Sequence, residues 1–477
     1  MPVGGEKEIR AGGNTQDSPM STAIAHEELV IYPESEKPET DESHNVQAKD
    51  EGVAGAKRGA LTRMVSSRSA ASSWKDPGPP PDGGFLAWSQ AILGHLVILN
   101  TWGYISSFGV FQTYYTTTLG RPPSDISWVG SFQIFLLFFV GTFSGRALDG
   151  GYFRHVFIAG AFLQLLGVFM TSLSTTYWQL FLAQGICTGL GNGLQFCPTM
   201  SLISTYFSKN RSMAIGIAAT GSATGGLIFP AIVQNLLPKI GFGWTVRVLG
   251  FVMLACSSLS VAFLRTRLPP RKSGPLVEWG AFKETTYVLY CVGMFLNFWG
   301  LYFAFYYVGA FGRNIIGISY ADSISLLLLM NGTGIIGRLV PNYLSDRIFG
   351  PLNTIIPFAF VSGIMMFAWS GVHSTGGVWA FAAIYGLFSA GIQSMFPATL
   401  SSLTTDMKKA GVRMGMGFSI VSFACLTGPP LAGALIEKDH GQYLYAQMWA
   451  GATLICGGLT LVMARIAKTG FNIKRRI

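Results

Sequence analysis

A succession of long apolar runs constrains this sequence more than any other feature. From Phe85 onward the chain contains twelve runs of about 20 residues or more, most of them separated by short polar turns. A helix of about 20 apolar residues crosses the ~30 Å hydrocarbon core of a bilayer. The 477-residue chain is 50% hydrophobic and 12% charged, against about 25% charged for an ordinary soluble domain. The pattern predicts an all-α membrane protein with twelve transmembrane helices and argues against a soluble enzyme.

The runs fall into two sets of six, because a longer connection near 266–284 interrupts them. We number the predicted spans 1 to 12 in chain order. They lie at about 85–112, 126–147, 155–174, 178–206, 212–236, 244–265, 286–310, 321–345, 352–371, 377–403, 411–435 and 443–466. This division predicts a six-helix bundle over 83–267, a cytosolic linker over 268–283, a second six-helix bundle over 284–466 and a cytosolic tail over 467–477.

The formal net charge of +10 comes from two unlike parts of the chain. Residues 1–82 hold nine Lys/Arg and fourteen Asp/Glu, a net charge of −5, so the rest carries +15. With few aromatic residues, the first part cannot bury enough apolar surface to fold alone, and a disordered cytosolic tail is predicted. The charge distribution gives no reason to expect a nucleic-acid partner.

The distribution of the basic residues after residue 82 predicts the orientation of the chain in the membrane. Of these 24, 18 fall in the even-numbered connections or after span 12, and four fall in the odd-numbered connections. Because Lys and Arg concentrate in cytoplasmic loops, both termini are predicted to be cytosolic. We expect a multi-pass protein of the plasma membrane.

The two predicted halves share landmarks at a nearly constant offset. Asp149 follows span 2 and Asp346 follows span 8, 197 residues apart, and Gln195 and Gln393 lie 198 apart in spans 4 and 10. Thr-Gly pairs in spans 5 and 11 are 203 apart. Parallel repeats with a site at their interface near the midplane are typical of secondary transporters. The sequence has no GxxxxGK[ST] phosphate loop, which disfavours an ATP-driven pump, and no cofactor is expected.

Two segments at helix ends carry a resemblance to a known family. The loop Gly145-Arg146-Ala147-Leu148-Asp149 and its second copy near Asp346 resemble the loop signature of the major facilitator superfamily. The entry to span 1, PDGGFLAW at 81–88, resembles the Asp-Gly-Gly-aromatic-x-Trp signature of its monocarboxylate porters, with Trp88 one place late.

The start of span 5 supports the same family. Its sequence YFSKNRSMAIGIA at 206–218 resembles the second porter signature, with Asn210 in place of one of the paired arginines. The run NTWGYISSFGVFQTYY at 100–115 is similar to the fungal branch. The resemblance covers about residues 80–466.

The resemblance implies a gating role for residues at the predicted cytosolic helix ends. A carboxylate there bridges two helices in one access state and releases them in the other. The alternative is ordinary helix capping. The gating candidates are Gly145, Asp149, Asp346, Arg347 and Arg211.

Arg338 is the foremost candidate for substrate binding. It lies well inside span 8, where a charge costs several kcal/mol unless it faces a cavity or a partner. In the porters that this chain resembles, an arginine at this place holds the substrate carboxylate, which suits a guanidinium fork. The alternative is pairing with a loop acid. Two other family charges are missing, because Gly334 replaces an aspartate and Ser106 a lysine, which puts simple lactate–proton symport in doubt.

His95 is a candidate for proton coupling. Its spacing from Trp102 and Ser106 predicts that all three share one helix face. Histidine titrates near neutral pH, so protons are possible coupling ions. The favoured alternative is a buried, hydrogen-bonded neutral imidazole.

Further lining candidates are aromatic and amide side chains. Aromatic rings with a few polar tips suit a site for an organic molecule, although lipid-facing rings and amides that join helices are the alternatives. With Trp102 and Ser106 the predicted lining residues are Asn297, Tyr302, Asn331, Gln195 and Gln393.

The sequence therefore predicts a membrane transporter for a small organic, carboxylate-bearing molecule that works by alternating access. The resemblance implies two directions, since fungal members include nutrient permeases and exporters of secondary metabolites. The missing charges and the aromatic span 7 favour efflux. The alternatives are an uptake permease for a monocarboxylate or vitamin and, from another class, a transporter-like nutrient sensor.

Overall fold

The protein was analysed as a computed structural model that describes residues 78–121, 123–270 and 274–471. The predicted disordered tail lies outside the described residues up to position 77, and so do the last six residues of the predicted C-terminal tail. The described residues are helical with no β-strand.

Twelve long helical segments account for the described chain, and we number them α1 to α12. Several contain short π-helical turns, and their bounds agree with the predicted spans to within a few residues, apart from extra turns at the ends of α1, α5, α7 and α8. They are α1 at 84–119, α2 at 123–149, α3 Phe153–Thr171, α4 at 177–206, α5 at 211–240, α6 at 242–263, α7 at 285–316, α8 at 320–349, α9 Pro351–Trp369, α10 Thr375–Ser402, α11 Ala410–Lys438 and α12 Leu444–Thr469.

Ten helices among the described residues are long and apolar enough to cross a membrane. One of them, Arg211–Phe263, contains Gly241 with φ 74° and ψ 171°, which separates α5 from α6. The remaining segment, α4, is not among the ten, but it packs between α2 and α3 as a continuous helical stretch. The twelve-helix prediction is therefore confirmed.

Large apolar side chains cover the outward faces of the helices. Phe143, Phe162, Phe251 and Ile364 are all more than half exposed. A soluble domain would leave such side chains in water, whereas a bilayer solvates them, so the exposed faces agree with a multi-pass membrane protein.

Glycines allow close approach at two kinds of helix contact. Within the first half, a Cβ on Gly225 of α5 would lie 2.6 Å from the Cα of Gly103 on α1. Between the halves, Gly145 on α2 meets the backbone of Gly411 on α11, and Gly216 on α5 lies against the Arg338 carbonyl oxygen on α8. Small residues let helices pack closely in a membrane, where water supplies no hydrophobic driving force.

A π-helical turn changes the register of α1. It covers Leu99–Gly103, between the α-helical parts Gly84–Ile98 and Tyr104–Ser106. One extra residue per π turn rotates the rest of the helix by roughly 100° relative to an uninterrupted α-helix. Residues before and after this turn therefore do not keep the faces that a regular spacing predicts.

We expect Gly225→Val to destabilise the first half by about 1–3 kcal/mol, because the added side chain overlaps the Gly103 backbone. The measurement is the midpoint of heat unfolding of the purified protein in detergent.

The matched control is Gly332→Val, because a Cβ at Gly332 meets nothing within 4 Å. Equal midpoints for the two variants would contradict the close-packing interpretation.

A candidate substrate cavity between the two halves

A cavity of about 390 Å³ lies between the two halves of the fold. Helices α1, α7 and α8 form most of its wall, and α2, α5 and α10 add single residues. Five residues predicted from the sequence lie on this wall together with Arg338; they are Trp102, Ser106, Tyr302, Asn331 and Gln393.

The cavity is long. On α8 it follows a stripe from Tyr320 through Ile324, Leu327 and Asn331 to Arg338. Tyr320 and Arg338 are 18 positions apart, which corresponds to about 27 Å of helix. The cavity thus runs from the α7–α8 connection to the middle of the fold.

Arg338 lies at the deep end of this cavity and is 3% exposed. Its Nη1 donates to the Gly334 carbonyl oxygen at 3.1 Å and its Nη2 to Gln393 Oε1 at 3.3 Å. A Cβ on Gly334 would lie 2.5 Å from that Nη1, so the glycine leaves the room that the guanidinium occupies. Among the described residues no carboxylate forms an ion pair with Arg338.

Two further polar atoms near the deep end lack partners within the described part of the chain. They are Tyr302 Oη and Gln393 Nε2, both buried. Tyr302, Arg338 and Gln393 border the same part of the cavity. Buried polar groups are normally hydrogen-bonded, so a free amide donor, a free hydroxyl and an arginine without a carboxylate form a place for an acceptor-rich group.

Aromatic rings form the floor beneath this site. Trp102 and Tyr302 stack with ring centroids 6.0 Å apart and planes at 14°, joining α1 to α7. Below them a layer of phenylalanine rings comes from five helices, with neighbouring centroids 5.1 to 5.9 Å apart. It consists of Phe138, Phe196, Phe298, Phe396 and Phe418. We call these five residues the aromatic floor.

Ser106 and Asn331 present their polar side chains to the cavity but are tied to their own helices. Ser106 Oγ donates to the Trp102 carbonyl oxygen at 2.9 Å, and Asn331 Nδ2 donates to the Leu327 carbonyl oxygen at 3.0 Å. The remaining lone pairs can accept from a ligand.

Three predicted site residues are not on the cavity wall. Asn297 Nδ2 donates to the Gly293 carbonyl oxygen at 2.7 Å within α7. Gln195 Nε2 donates to Gln164 Oε1 on α3 at 3.3 Å. The Gln195 contact fits the alternative in which the amides join helices, whereas Asn297 bonds within its own helix and packs against Gly457 on α12.

His95 is the third, and it faces α5. Its Nδ1 lies 3.1 Å from the Ile217 carbonyl oxygen and 3.0 Å from Thr220 Oγ1. The expected common face with Trp102 and Ser106 is not found, because the π turn at Leu99–Gly103 separates them. The contacts fit a hydrogen-bonded imidazole between α1 and α5.

The two loop aspartates occupy equivalent positions at the opposite end from the cavity mouth. Asp149 Oδ1 and Oδ2 accept from the backbone N–H groups of Gly411 and Val412 at 3.0 and 2.9 Å. Asp346 Oδ1 and Oδ2 accept from those of Ser212 and Met213 at 3.0 and 2.7 Å. Each carboxylate therefore binds the N-terminus of a helix in the other half, where the helix dipole favours a negative charge.

The other gating candidates differ in what they contact. Gly145 lets α2 touch the α11 backbone beside Asp149. Arg211 also bridges the halves, since its Nη1 donates to the Ser401 carbonyl oxygen on α10 at 3.4 Å. Arg347 instead lies over the Tyr343 ring of its own helix, 5.8 Å from the centroid.

The part of the cavity wall farthest from Arg338 was not predicted from the sequence. Arg313 lines the cavity and donates to Ser323 Oγ at 2.7 Å. Tyr306 also lines it, one turn from Tyr302. Tyr306 could have been predicted, because it lies one helical turn from Tyr302. Arg313 could not, because it lies in a π turn, Gly312–Ile316, that extends α7 beyond its predicted end.

Comparison with known proteins places this geometry in a family. The sequence profile of the Major Facilitator Superfamily matches residues 93–418. An MFS-type transporter from Gibberella zeae is 47% identical over 426 residues, covering 89% of this chain and 96% of the relative. The aspyridones efflux protein apdF of Emericella nidulans is 37% identical over 391 residues, covering 81% and 79%.

Solved structures support the same fold. The human organic anion transporter MFSD10 matches with a TM-score of 0.62 at 14% identity, covering 79% of this chain and 99% of that one. FucP in the outward conformation matches with a TM-score of 0.61 at 13% identity and the same coverage. With twelve helices, two pseudo-equivalent halves and a cavity between them, this chain belongs to the Major Facilitator Superfamily of transporters.

Proposed function

We propose that this transporter exports a carboxylate-bearing secondary metabolite by alternating access. The names of its relatives support the direction, because the aspyridones efflux protein is 37% identical to this chain. The chemistry of the cavity supports the substrate class.

The unpaired Arg338 is the observation that carries the substrate class. A buried charge without a counter-ion costs several kcal/mol, and such residues in membrane helices face a cavity or a partner. A substrate carboxylate supplies that partner through charge-assisted hydrogen bonds. Gln393 Nε2 and Tyr302 Oη offer two more donors close by.

The cavity walls set the rest of the substrate's chemistry. A volume of about 390 Å³ lies within the range of about 300–1,000 Å³ for small-molecule sites. Trp102, Tyr302, Phe305 and Tyr306 line the wall beyond the arginine. We infer an organic acid with an apolar, ring-containing body.

The two carboxylate contacts at helix N-termini support a gating role and one access state. Asp149 and Asp346 close the end of the fold that is rich in Lys and Arg, while the cavity extends toward the other end. If the basic end is cytosolic in the plasma membrane, as the positive-inside rule predicts, this is the outward-facing state. Release of both carboxylates would then open the cytosolic side.

The two porter signatures support a place among the monocarboxylate porters, because they contact each other. Asp82 of the first signature binds backbone N–H groups of Ser208 and Lys209 in the second. The domain boundaries at 82, 267 and 284 stay predictions, and so does proton coupling.

The proposal is tested by comparing metabolites inside and outside cells of the native organism with and without the gene. We expect one or more organic acids to accumulate inside the cells that lack it. An unchanged partition of all endogenous metabolites would refute the export function.

We expect Arg338→Gln to reduce transport of the metabolite found in this way by about 10-fold or more, because a hydrogen bond to a charged group contributes about 1.5–3 kcal/mol. Initial rates in vesicles give the measurement, and Lys438→Gln at the exposed end of α11 is the control. Retained affinity in Arg338→Gln would rule out anion binding at this residue.

Gly334→Ala should weaken substrate affinity, since its methyl group overlaps the position of the Arg338 guanidinium. Gly332→Ala, two residues away with no atom within 4 Å, is the matched control. The apparent KM in the same vesicle assay distinguishes the two. A KM that rises equally in both variants would point to helix effects instead.

His95→Ala should leave the pH dependence of transport unchanged, because its Nδ1 is engaged with α5 and the residue is absent from the cavity wall. Transport rates between about pH 5 and pH 8 span the range in which histidine titrates. Loss of the pH dependence in this variant would instead support the proton-carrying role.

A further inference from the structure

In each half of the fold, a carboxylate lies just before the first helix. It bonds to residues at the start of the fifth helix of the same half. In the first half this is Asp82, two residues before the start of α1. In the second half Glu284 is directly before α7, with Glu278 six residues earlier. Asp82 and Glu284 are 202 residues apart. This is close to the 197 residues that separate Asp149 and Asp346, which we call the gate aspartates.

Asp82 holds the α4–α5 connection through backbone groups. Its Oδ1 accepts from the N–H groups of Ser208 and, at 2.7 Å, Lys209. Its own N–H donates to the Tyr206 carbonyl oxygen at 3.1 Å, and its carbonyl oxygen accepts from Asn210 Nδ2 at 3.1 Å.

The backbone of Asp82 indicates how firmly these contacts fix it. Its φ of 53° is uncommon for a residue other than glycine. Such a conformation persists where surrounding contacts determine it. The segment before α1 is therefore clamped on the connection that leads into α5.

Glu278 and Glu284 hold the start of α11 through side chains. Glu278 Oε1 pairs with Lys409 Nζ at 2.6 Å, and Glu284 pairs with Arg413, which is 3% exposed. Tyr287 adds a hydrogen bond from its Oη to the Arg413 carbonyl oxygen at 2.8 Å.

Both sets of contacts lie next to the backbone N–H groups that donate to the gate aspartates. Lys209 precedes Ser212, which binds Asp346, by three residues. Lys409 and Arg413 enclose Gly411 and Val412, which bind Asp149. A carboxylate can close a gate only if these N–H groups stay in place.

We propose that Asp82 and Glu284, assisted by Glu278, are positioning residues for alternating access. Each holds, within its own half, the helix N-terminus that receives the gate aspartate of the other half. Asp82 acts through Asp346, and Glu284 acts through Asp149. This inference rests on the gating role proposed above for the two aspartates.

Cys197 provides a native reporter for the test. Its side chain is fully buried, and its Sγ lies 4.0 Å from the Gly411 carbonyl oxygen, beside the α2–α11 contact. We expect opening of the basic end to expose this thiol, because the α2–α11 contact beside it separates. Its rate of maleimide labelling, measured by mass spectrometry on the full chain in lipid nanodiscs, therefore reports how often that end opens.

We expect Asp82→Asn and Glu284→Gln each to raise the Cys197 labelling rate by about fivefold, a usual size for coupling between sites. In a chain that already carries Asp346→Asn, adding Asp82→Asn should not raise the labelling rate further. In a chain that carries Asp149→Asn, adding Asp82→Asn should multiply the rate. Glu284→Gln should show no further increase with Asp149→Asn and a multiplied rate with Asp346→Asn. Asp125→Asn, in an exposed ion pair with Arg121 away from the gates, is the control and should change nothing.

Different results overturn different steps. If Asp149→Asn and Asp346→Asn leave the Cys197 rate unchanged, the gating role fails. If they raise it but Asp82→Asn multiplies equally with both, the positioning role fails while gating stands. If Asp82→Asn also speeds labelling of the buried Cys425, the change is general loosening and the positioning role is again refuted.

Discussion

The absence of water in the bilayer core governs the whole molecule. Every backbone N–H and C=O group there must be satisfied within the chain, which leaves helices as the structure of the twelve apolar segments. Most polar side chains follow the same rule, as Ser106 and Asn331 do by bonding to their own helices. Arg338 departs from it, because its charge has no counter-ion among the described residues. The same cavity also holds two buried polar atoms without partners among the described residues, Tyr302 Oη and Gln393 Nε2.

The contacts between the halves are close but can separate without a change in the helices. Glycines at Gly145 and Gly216 allow backbones of opposite halves to meet without interlocking side chains. The specific attraction is added by two carboxylates at helix N-termini, one from each half. Helix N-termini offer N–H groups that are unsatisfied within the helix, so binding and release require no rearrangement of the helix itself. This is a suitable construction for an interface that must form and separate in each transport cycle.

Apolar run length was sufficient to predict the helices, because bilayer thickness fixes that length independently of tertiary contacts. The offset between Asp149 and Asp346 likewise predicted equivalent positions, since a duplicated chain repeats its landmarks. Side-chain direction was less predictable. The π turn at Leu99–Gly103 has no clear sequence signature, and it separates His95 from the face of Trp102 and Ser106. The place of Arg313 depends on a second π turn at the end of α7. Amides such as Asn297 and Gln195 could not be assigned from sequence, because a lone amide serves equally well on a cavity wall or between two helices.

The aromatic floor has an electrical consequence. Five phenylalanine rings from α2, α4, α7, α10 and α11 pack against one another beneath the cavity, around a space of only about 30 Å³. They offer no hydrogen-bonding group to water or to a small ion, so the layer acts as an insulating partition. A cell membrane holds a voltage worth about 2.3 kcal/mol per elementary charge for each 100 mV, and a hydrated path through a carrier would discharge it. The partition allows the cavity to fill with water while the voltage across the bilayer is preserved.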